Sequence, residues 1–358
     1  MKAVVLVGGR GTRMRPLTYD TPKPLLPIAN RAFLDRQLDW LAGHGVDEVV
    51  LSLGYLPDVF EAHFAAQPAA VAVRFAVEDT PLGTAGAIRF AAEGIDEPFV
   101  VCNGDVLTTL DVGELVRFHE SHGAEATIAL TEVEDPSSFG VVPTRADGEV
   151  VAFVEKPSAG TAPSRWINAG TYVLDPSVLE QIPPRLMVSI ERETFPRMLA
   201  EPRRLYAMQS DDYWIDIGSP EHYVRAHLDL LDGRLGAADL DVRELSPGVW
   251  ARGDVSVAPD AVLVAPVLLG AGVVVEAGAR VQRSSLADRV CVARDARVLR
   301  SVVHDDVAVG AGAEIADSVL GARVQVGEGA RVGARTVAGA GVTVAPHARV
   351  ANAKLQVD

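Results

Sequence analysis

The chain has 358 residues, more than one hydrophobic core usually serves, so two domains are expected. Its 33 Lys+Arg against 48 Asp+Glu give a net charge of −15, which argues against nucleic-acid or anionic-membrane binding. No apolar run reaches the roughly 18 residues of a membrane span, and no charged segment leading into a long apolar one opens the chain, so a cytoplasmic protein is expected.

Over the first ~240 residues, apolar strand-like runs alternate with amphipathic stretches, the pattern of a mainly parallel sheet covered by helices. Strands are expected at 3–7, 48–53, 71–77, 98–102, 126–130, 150–154 and 170–174, and helices at 33–41 and 115–121. Ser219-Pro220 supplies the cap and first-turn proline of a third helix over 221–231. Cys102 and Cys291 lie far apart among strand-like residues, which suits buried thiols rather than a disulfide.

After Gly233 the pattern changes. Val292, Val309 and Val326 are spaced by 17, as are Val298, Ile315 and Val332, and Leu286, Val303 and Leu320. One aliphatic about every six residues, followed by small turn formers, predicts a parallel β-helix with three short faces per coil, resembling the left-handed hexapeptide type. The expected division is a catalytic domain at 1–235, a linker at 236–260 and a β-helix at 261–358. From residue 251 onward there are 12 basic and 11 acidic residues, leaving 21 against 37 before it, so the acidity belongs to the first part. Near-neutral coils with flat faces are expected to join copies into a homo-oligomer, apart from the chemistry. His304 and His347 are expected at the surface or in coil turns.

An acidic domain can hold a polyanion only through a local basic cluster or a cation. GGRGTRMRP at 8–16, directly after the first expected strand, offers the cluster, with TPKPLLP at 21–27 behind it. Glycines let backbone amides approach phosphate oxygens, and Arg10, Arg13, Arg15 and Lys23 face only Asp20. The segment is neither a Walker loop nor a Rossmann GxGxxG. The chain has only four lysines, Lys2, Lys23, Lys156 and Lys354, beside 29 arginines, so an interior lysine suggests a place for a compact ammonium.

Together with PLGTAGAI (81–88), NGDV (103–106), FGVV (139–142), VEKP (154–157), INAGTYV (167–173) and WIDIGSPEHY (214–223), these segments resemble, in order, the motifs of sugar-1-phosphate nucleotidyltransferases. The resemblance covers residues 2–230 and implies a Rossmann-like α/β domain with a mixed, mainly parallel sheet. It implies that Val7, Gly8, Gly9, Gly11, Thr12, Arg13, Lys23, Glu78, Pro81, Gly83 and Thr84 bind the nucleotide. Gly104, Gly140, Glu155, Lys156, Asn168 and Gly170 would bind the sugar phosphate, and Asp105 and Asp216 would share a Mg²⁺. Arg13, Lys23, Asp105 and Asp216 would carry catalysis, an in-line displacement that needs no general base, so the histidines are not expected to be catalytic.

Relatives that use pyrimidines tend to carry glutamine where this chain has Glu78. A carboxylate can accept both N1–H and N2–H₂ of guanine, whereas uracil or thymine would oppose one of its oxygens with a carbonyl. GTP is therefore expected, with mannose 1-phosphate as the other substrate, since VSIERETFPRML (188–199) and WIDIGSPEHY are similar to bacterial mannose-1-phosphate guanylyltransferases. The alternatives are a dTTP- or UTP-using glucose-1-phosphate enzyme, and a guanylyltransferase for a heptose or cyclitol phosphate.

Overall fold

Aliphatic runs such as Ala3-Val4-Val5 have no polar face, so they are stable as strands only when covered on both sides; all three are fully buried. The computed structural model of the chain describes residues 1–201, 203–235 and 242–357. These fall into two units, Met1–Gly9 with Leu34–Trp214, and Arg10–Phe33 with Ile215–Asp358.

In the first unit the strands are β1 (Lys2–Leu6), β2 (Glu48–Leu53), β3 (Ala72–Val77), β4 (Phe99–Asn103), β5 (Ala126–Glu132), β6 (Gly140–Val141), β7 (Val154–Glu155), β8 (Trp166–Leu174) and β9 (Leu205–Ser210). They form one nine-stranded sheet in the order β7-β6-β8-β4-β1-β2-β3, with β5 paired to β8 and β9 to β5. The half β4-β1-β2-β3 is parallel, and β8 runs antiparallel to β4 and β5, so the sheet is mixed. Its pairing with β5 shifts register between Asn168 and Tyr172, a bulge of the kind that re-aims side chains near active sites. The helices of this unit include α1 (Phe33–Gly43), α2 (Pro57–Ala66), α3 (Gly83–Ala91), α4 (Val112–Ser121) and α5 (Phe195–Ala200). A single π turn, Ile190–Thr194, leads into α5. The strand expected at 150–154 is not continuous: Val150 makes an isolated bridge to Thr144, and pairing resumes at Val154. Only an edge position was open to it, and Val151 is exposed.

The second unit holds the glycine-rich loop from Arg10 onward, α6 (Pro220–Leu231) and a parallel β-helix of the expected left-handed type. Val298 pairs with Ile315 and Ile315 with Val332, while Cys291 and Val292 pair with Ala308 and Val309. The predicted interior aliphatics at 286, 292, 298, 303, 309, 315, 320, 326 and 332 are all buried in one cluster. The coils begin before 261: Val249 pairs with Val267 and Ser256 with Val274, an offset of 18 that departs from the 17-residue period of the sequence repeat. The stretch expected as a linker thus carries strands from Arg243 onward, while 236–241 lie outside the described residues. Non-glycine residues with left-handed φ recur at coil corners, where Arg289 and Arg300 make two-pronged bonds to Asp306 and Asp317 at 2.6–2.8 Å. Inside, Ser284, Ser301 and Ser318 form a buried ladder, each of the first two hydroxyls accepting the amide of the serine one coil on.

His347 sits exposed in a coil turn, as expected, but His304 is buried. Tyr223 of α6 donates its hydroxyl to the Pro27 carbonyl and lies 3.1 Å from His304 Nε2, so the histidine is a core group of this unit. Both cysteines are free; burial pushes the Cys102 thiol up to about 12, and Cys291 is half-buried. Among the described residues no helix is long and apolar enough to cross a membrane.

Candidate functional site

The site residues expected from sequence are divided between the units. In the second, Gly11 takes left-handed φ (57°) and opens a short turn, Thr12–Met14, whose Met14 is buried. A Cβ on Gly11 would meet Lys23 Cβ and Thr18 Cγ2 at 3.1 Å, so the glycine lets the loop close on itself with Lys23 beside it. Thr18 seals the closure by donating to the Gly11 carbonyl at 2.8 Å. Buried Met14 leaves its neighbours Thr12 and Arg13 exposed. The Arg15 guanidinium lies over the Tyr19 ring, 5.1 Å from its centroid.

Asp216 converges with Arg13, since a Cβ on Gly218 would come within 2.5 Å of both Arg13 Nη2 and Asp216 Oδ2. His222 Nδ1 lies 2.8 Å from Asp216 Oδ1. Burial works against the Asp216 charge, yet the His222 hydrogen bond and the charges of His222, Arg13 and Lys23 hold its carboxyl below the usual range. The same bond raises the pKa of His222. Arg13, Lys23, Asp216 and His222 are therefore one electrostatic group. His222 is not among the site residues expected from sequence, because the chemistry asks for no base; its place three residues after the helix cap Ser219 is the signal the sequence offers.

In the first unit the Val7 amide donates to the Ser52 carbonyl, Gly8 passes close to Gly54, and Gly9 is open on its Cβ side. Glu78 is held at both ends: Oε1 accepts from the Ser52 hydroxyl at 3.0 Å and Oε2 from the Leu82 amide at 2.9 Å. Pro81 is exposed. Gly83, with φ of 70°, starts α3 against Val188, whose carbonyl would stand 2.6 Å from an added Cβ. The Thr84 hydroxyl is taken up within the protein, donating to Glu191 at 2.8 Å and accepting from the Ile190 amide at 2.8 Å.

Gly104 also has no room for a side chain, because Val7 Cγ1 and the Leu6 carbonyl lie 2.5 and 2.6 Å from where its Cβ would be. Half-buried Asp105 follows it. Gly140 and Glu155 are register partners across β6 and β7, and Glu155 Oε2 would stand 3.0 Å from a Cβ at 140. Lys156 takes left-handed φ (50°), its backbone N–H donates a hydrogen bond to the Phe139 carbonyl, and its Nζ lies 3.5 Å from Glu155. Non-glycine residues in that conformation concentrate at functional sites. On the β8 bulge, Asn168 donates to the Tyr172 hydroxyl at 2.8 Å and accepts the Gly170 amide at 2.9 Å. Gly170 backs onto Asn103. Trp214 Nε1 donates to the Ala169 carbonyl and its ring meets Phe139 edge-on. Glu191, Tyr172 and Trp214 were not among the expected site residues; burial first, then the charge of Glu191, raises the Tyr172 hydroxyl far above its ordinary pKa.

A hard divalent cation takes carboxylate oxygens together with phosphate oxygens and water. Asp216, half-buried and kept ionised, has the right donor chemistry. Among the described residues no group of three His, Cys, Asp or Glu could enclose a metal.

The nucleotidyl transferase family model matches residues 2–233, and the model described as the GMPPB C-terminal domain matches 245–356. The chain is 39% identical to a mannose-1-phosphate guanylyltransferase of Mycobacterium tuberculosis over 302 residues, 81% of this chain and 80% of that protein. It is 40% identical to mannose-1-phosphate guanylyltransferase 1 of Arabidopsis thaliana over 303 residues, 80% of this chain and 81% of that one. The crystal structure of HddC from Yersinia pseudotuberculosis complexed with GMP-PN is also similar, with a TM-score of 0.56 and 33% identity over 64% of this chain and 99% of HddC.

Proposed function

This chain belongs to the nucleotidyl transferase family, and from that premise we propose that it is a mannose-1-phosphate guanylyltransferase, converting GTP and mannose 1-phosphate to GDP-mannose and pyrophosphate. The observation that carries the reading is the match to guanylyltransferases of a bacterium and a plant along four-fifths of each chain. A phosphate oxygen of mannose 1-phosphate attacks the α-phosphorus of GTP. As that bond forms, the bond from the α-phosphorus to the bridging oxygen breaks, and pyrophosphate leaves with the electron pair. The nucleophile is ionised at neutral pH, so placement and charge neutralisation carry the rate.

Arg13 and Lys23 neutralise the outer phosphates and the charge that grows on the leaving group. The amides at Gly8, Gly9 and Gly11 cradle the triphosphate, and Lys156 holds the sugar phosphate. Glu155 and Asn168 take sugar hydroxyls; the bonds of Asn168 to Tyr172 and Gly170 leave one donor and one acceptor site on its amide. We assign Asp105 and Asp216 to Mg²⁺, which when bound supplies charge neutralisation to the phosphate oxygens. Glu78, braced by Ser52 and Leu82, keeps one lone pair on each oxygen for guanine. Oligomerisation through the β-helix stays part of the proposal, supported by its near-neutral charge; light scattering that finds a monomer removes it.

The deciding experiment is pyrophosphate release by the purified chain over a panel of GTP, UTP, dTTP and ATP against mannose, glucose and heptose 1-phosphates. GTP with mannose 1-phosphate should give the highest kcat/KM. A higher value for any other pair overturns the assignment.

A further inference from the structure

Of the four lysines, Lys354 lies on the last strand of the β-helix, 341 residues along the chain from Arg13, yet its Nζ donates to the Arg13 carbonyl at 3.0 Å. The register of the terminal coil sets this contact, since Lys354 pairs with Val337 and Leu355 with Ala338, and the Gly339 amide bonds to the Leu355 carbonyl at 2.8 Å. The same coil touches the loop a second time. A Cβ on Gly339 would stand 3.1 and 3.2 Å from Pro16 Cβ and Cγ and 3.4 Å from the Leu355 carbonyl, so glycine permits the approach. The loop residues concerned, Arg13 and Pro16, belong to the same unit as the coil.

An ammonium has three donors, and one suffices for the Arg13 carbonyl. Lys354 is exposed, so its other donors stay open to a ligand. It adds a cation to a loop that already carries Arg13 and Lys23, at the main-chain carbonyl of the residue whose guanidinium converges with Asp216. From this we infer that Lys354 is a phosphate-binding residue of the transferase site, contacting the two outer phosphates of the nucleoside triphosphate that depart as pyrophosphate. The β-helix then takes part in the chemistry through its final strand, in addition to the association expected of it from sequence. The inference rests on the loop being a phosphate cradle, and it needs neither the guanine nor the mannose assignment.

The test is calorimetric binding of pyrophosphate to the full-length chain, with steady-state kinetics beside it, for Lys354→Met and Lys354→Arg. Lys354→Met keeps the aliphatic stem and removes the charge. It should weaken pyrophosphate and raise KM for the triphosphate by about tenfold, the loss of one exposed charge-assisted contact. KM for the sugar phosphate should stay within about twofold, and Lys354→Arg should restore most of the loss because it keeps a cation. Unchanged pyrophosphate affinity in Lys354→Met overturns the inference. So does an equal rise in both KM values with a lowered Tm, which would mark Lys354 as a strut. A chain that prefers another base or sugar, yet binds pyrophosphate through Lys354, refutes the mannose-1-phosphate guanylyltransferase assignment and leaves this inference standing.

Discussion

Replacing Glu78 by Gln tests base recognition with little disturbance of the fold, because the internal bonds of Glu78 can survive the change. The amide oxygen can keep the Leu82 amide, now 2.9 Å from Oε2, while the new NH₂ donates to the Ser52 hydroxyl, whose own hydrogen is free to turn away. Two charge-assisted bonds become neutral ones, a cost of about 1 kcal/mol or less at this half-buried position. Toward guanine the loss is larger. One lone pair remains on the amide oxygen for one of the two guanine donors, and the second N–H of the amide is set against the other. An unpaired donor facing a donor costs about 1.5–3 kcal/mol, so kcat/KM for GTP should fall by about 10- to 150-fold. Against UTP or dTTP the same amide both donates to a carbonyl and accepts from N3–H, so the ratio of kcat/KM for GTP over UTP should fall further still. The assay is that ratio, measured on wild type and variant with Tm recorded beside it. An unchanged ratio, or a collapse of Tm with both nucleotides affected equally, would mean that Glu78 only braces the turn between Ser52 and Leu82.

Asp105→Asn and Asp216→Asn should each lower kcat by at least about 100-fold, since a carboxylate ligand supports several kcal/mol of charge stabilisation; near-normal kcat and Mn²⁺ affinity by proton relaxation would exclude that residue as a ligand. Gly83→Ala forces a Cβ into left-handed φ and to 2.6 Å from the Val188 carbonyl. It should cost about 2 kcal/mol or more of stability and raise KM for the nucleotide, and a Tm unchanged on scanning calorimetry would refute the close packing. Burial lowers the pKa of His304 to about 4, against 6.5 for a free histidine. The neutral ring is favoured by the fold, so its contribution is complete above about pH 6.5 and is lost as pH falls towards 4, amounting to about 3 kcal/mol. Urea midpoints at pH 7.5 and 4.5 should therefore differ less in His304→Gln than in wild type; equal acid losses would contradict it.

The sequence by itself determined the architecture of both parts, because each rests on a periodicity that the solvent enforces. Fully apolar runs such as Val4-Val5 and Val100-Val101 can only be sheet interior, and an aliphatic recurring every 17 residues can only be stacked coil interior. The glycines were legible too. Gly11 and Gly83 adopt left-handed φ, and Gly104 and Gly140 stand where a Cβ would strike a neighbour. What only the tertiary structure decided is who holds whom. Nothing in the one-dimensional pattern pairs Asp216 with His222 and Arg13, Thr84 with Glu191, Tyr223 with His304, or Lys354 with Arg13, because each pair forms when elements distant in sequence, or a helix start and its preceding strand, arrive at one point. Such contacts depend on the register of whole elements. A strand residue of the last coil reaches the glycine-rich loop because every coil before it has kept step, and that is a property of the stack rather than of any local segment.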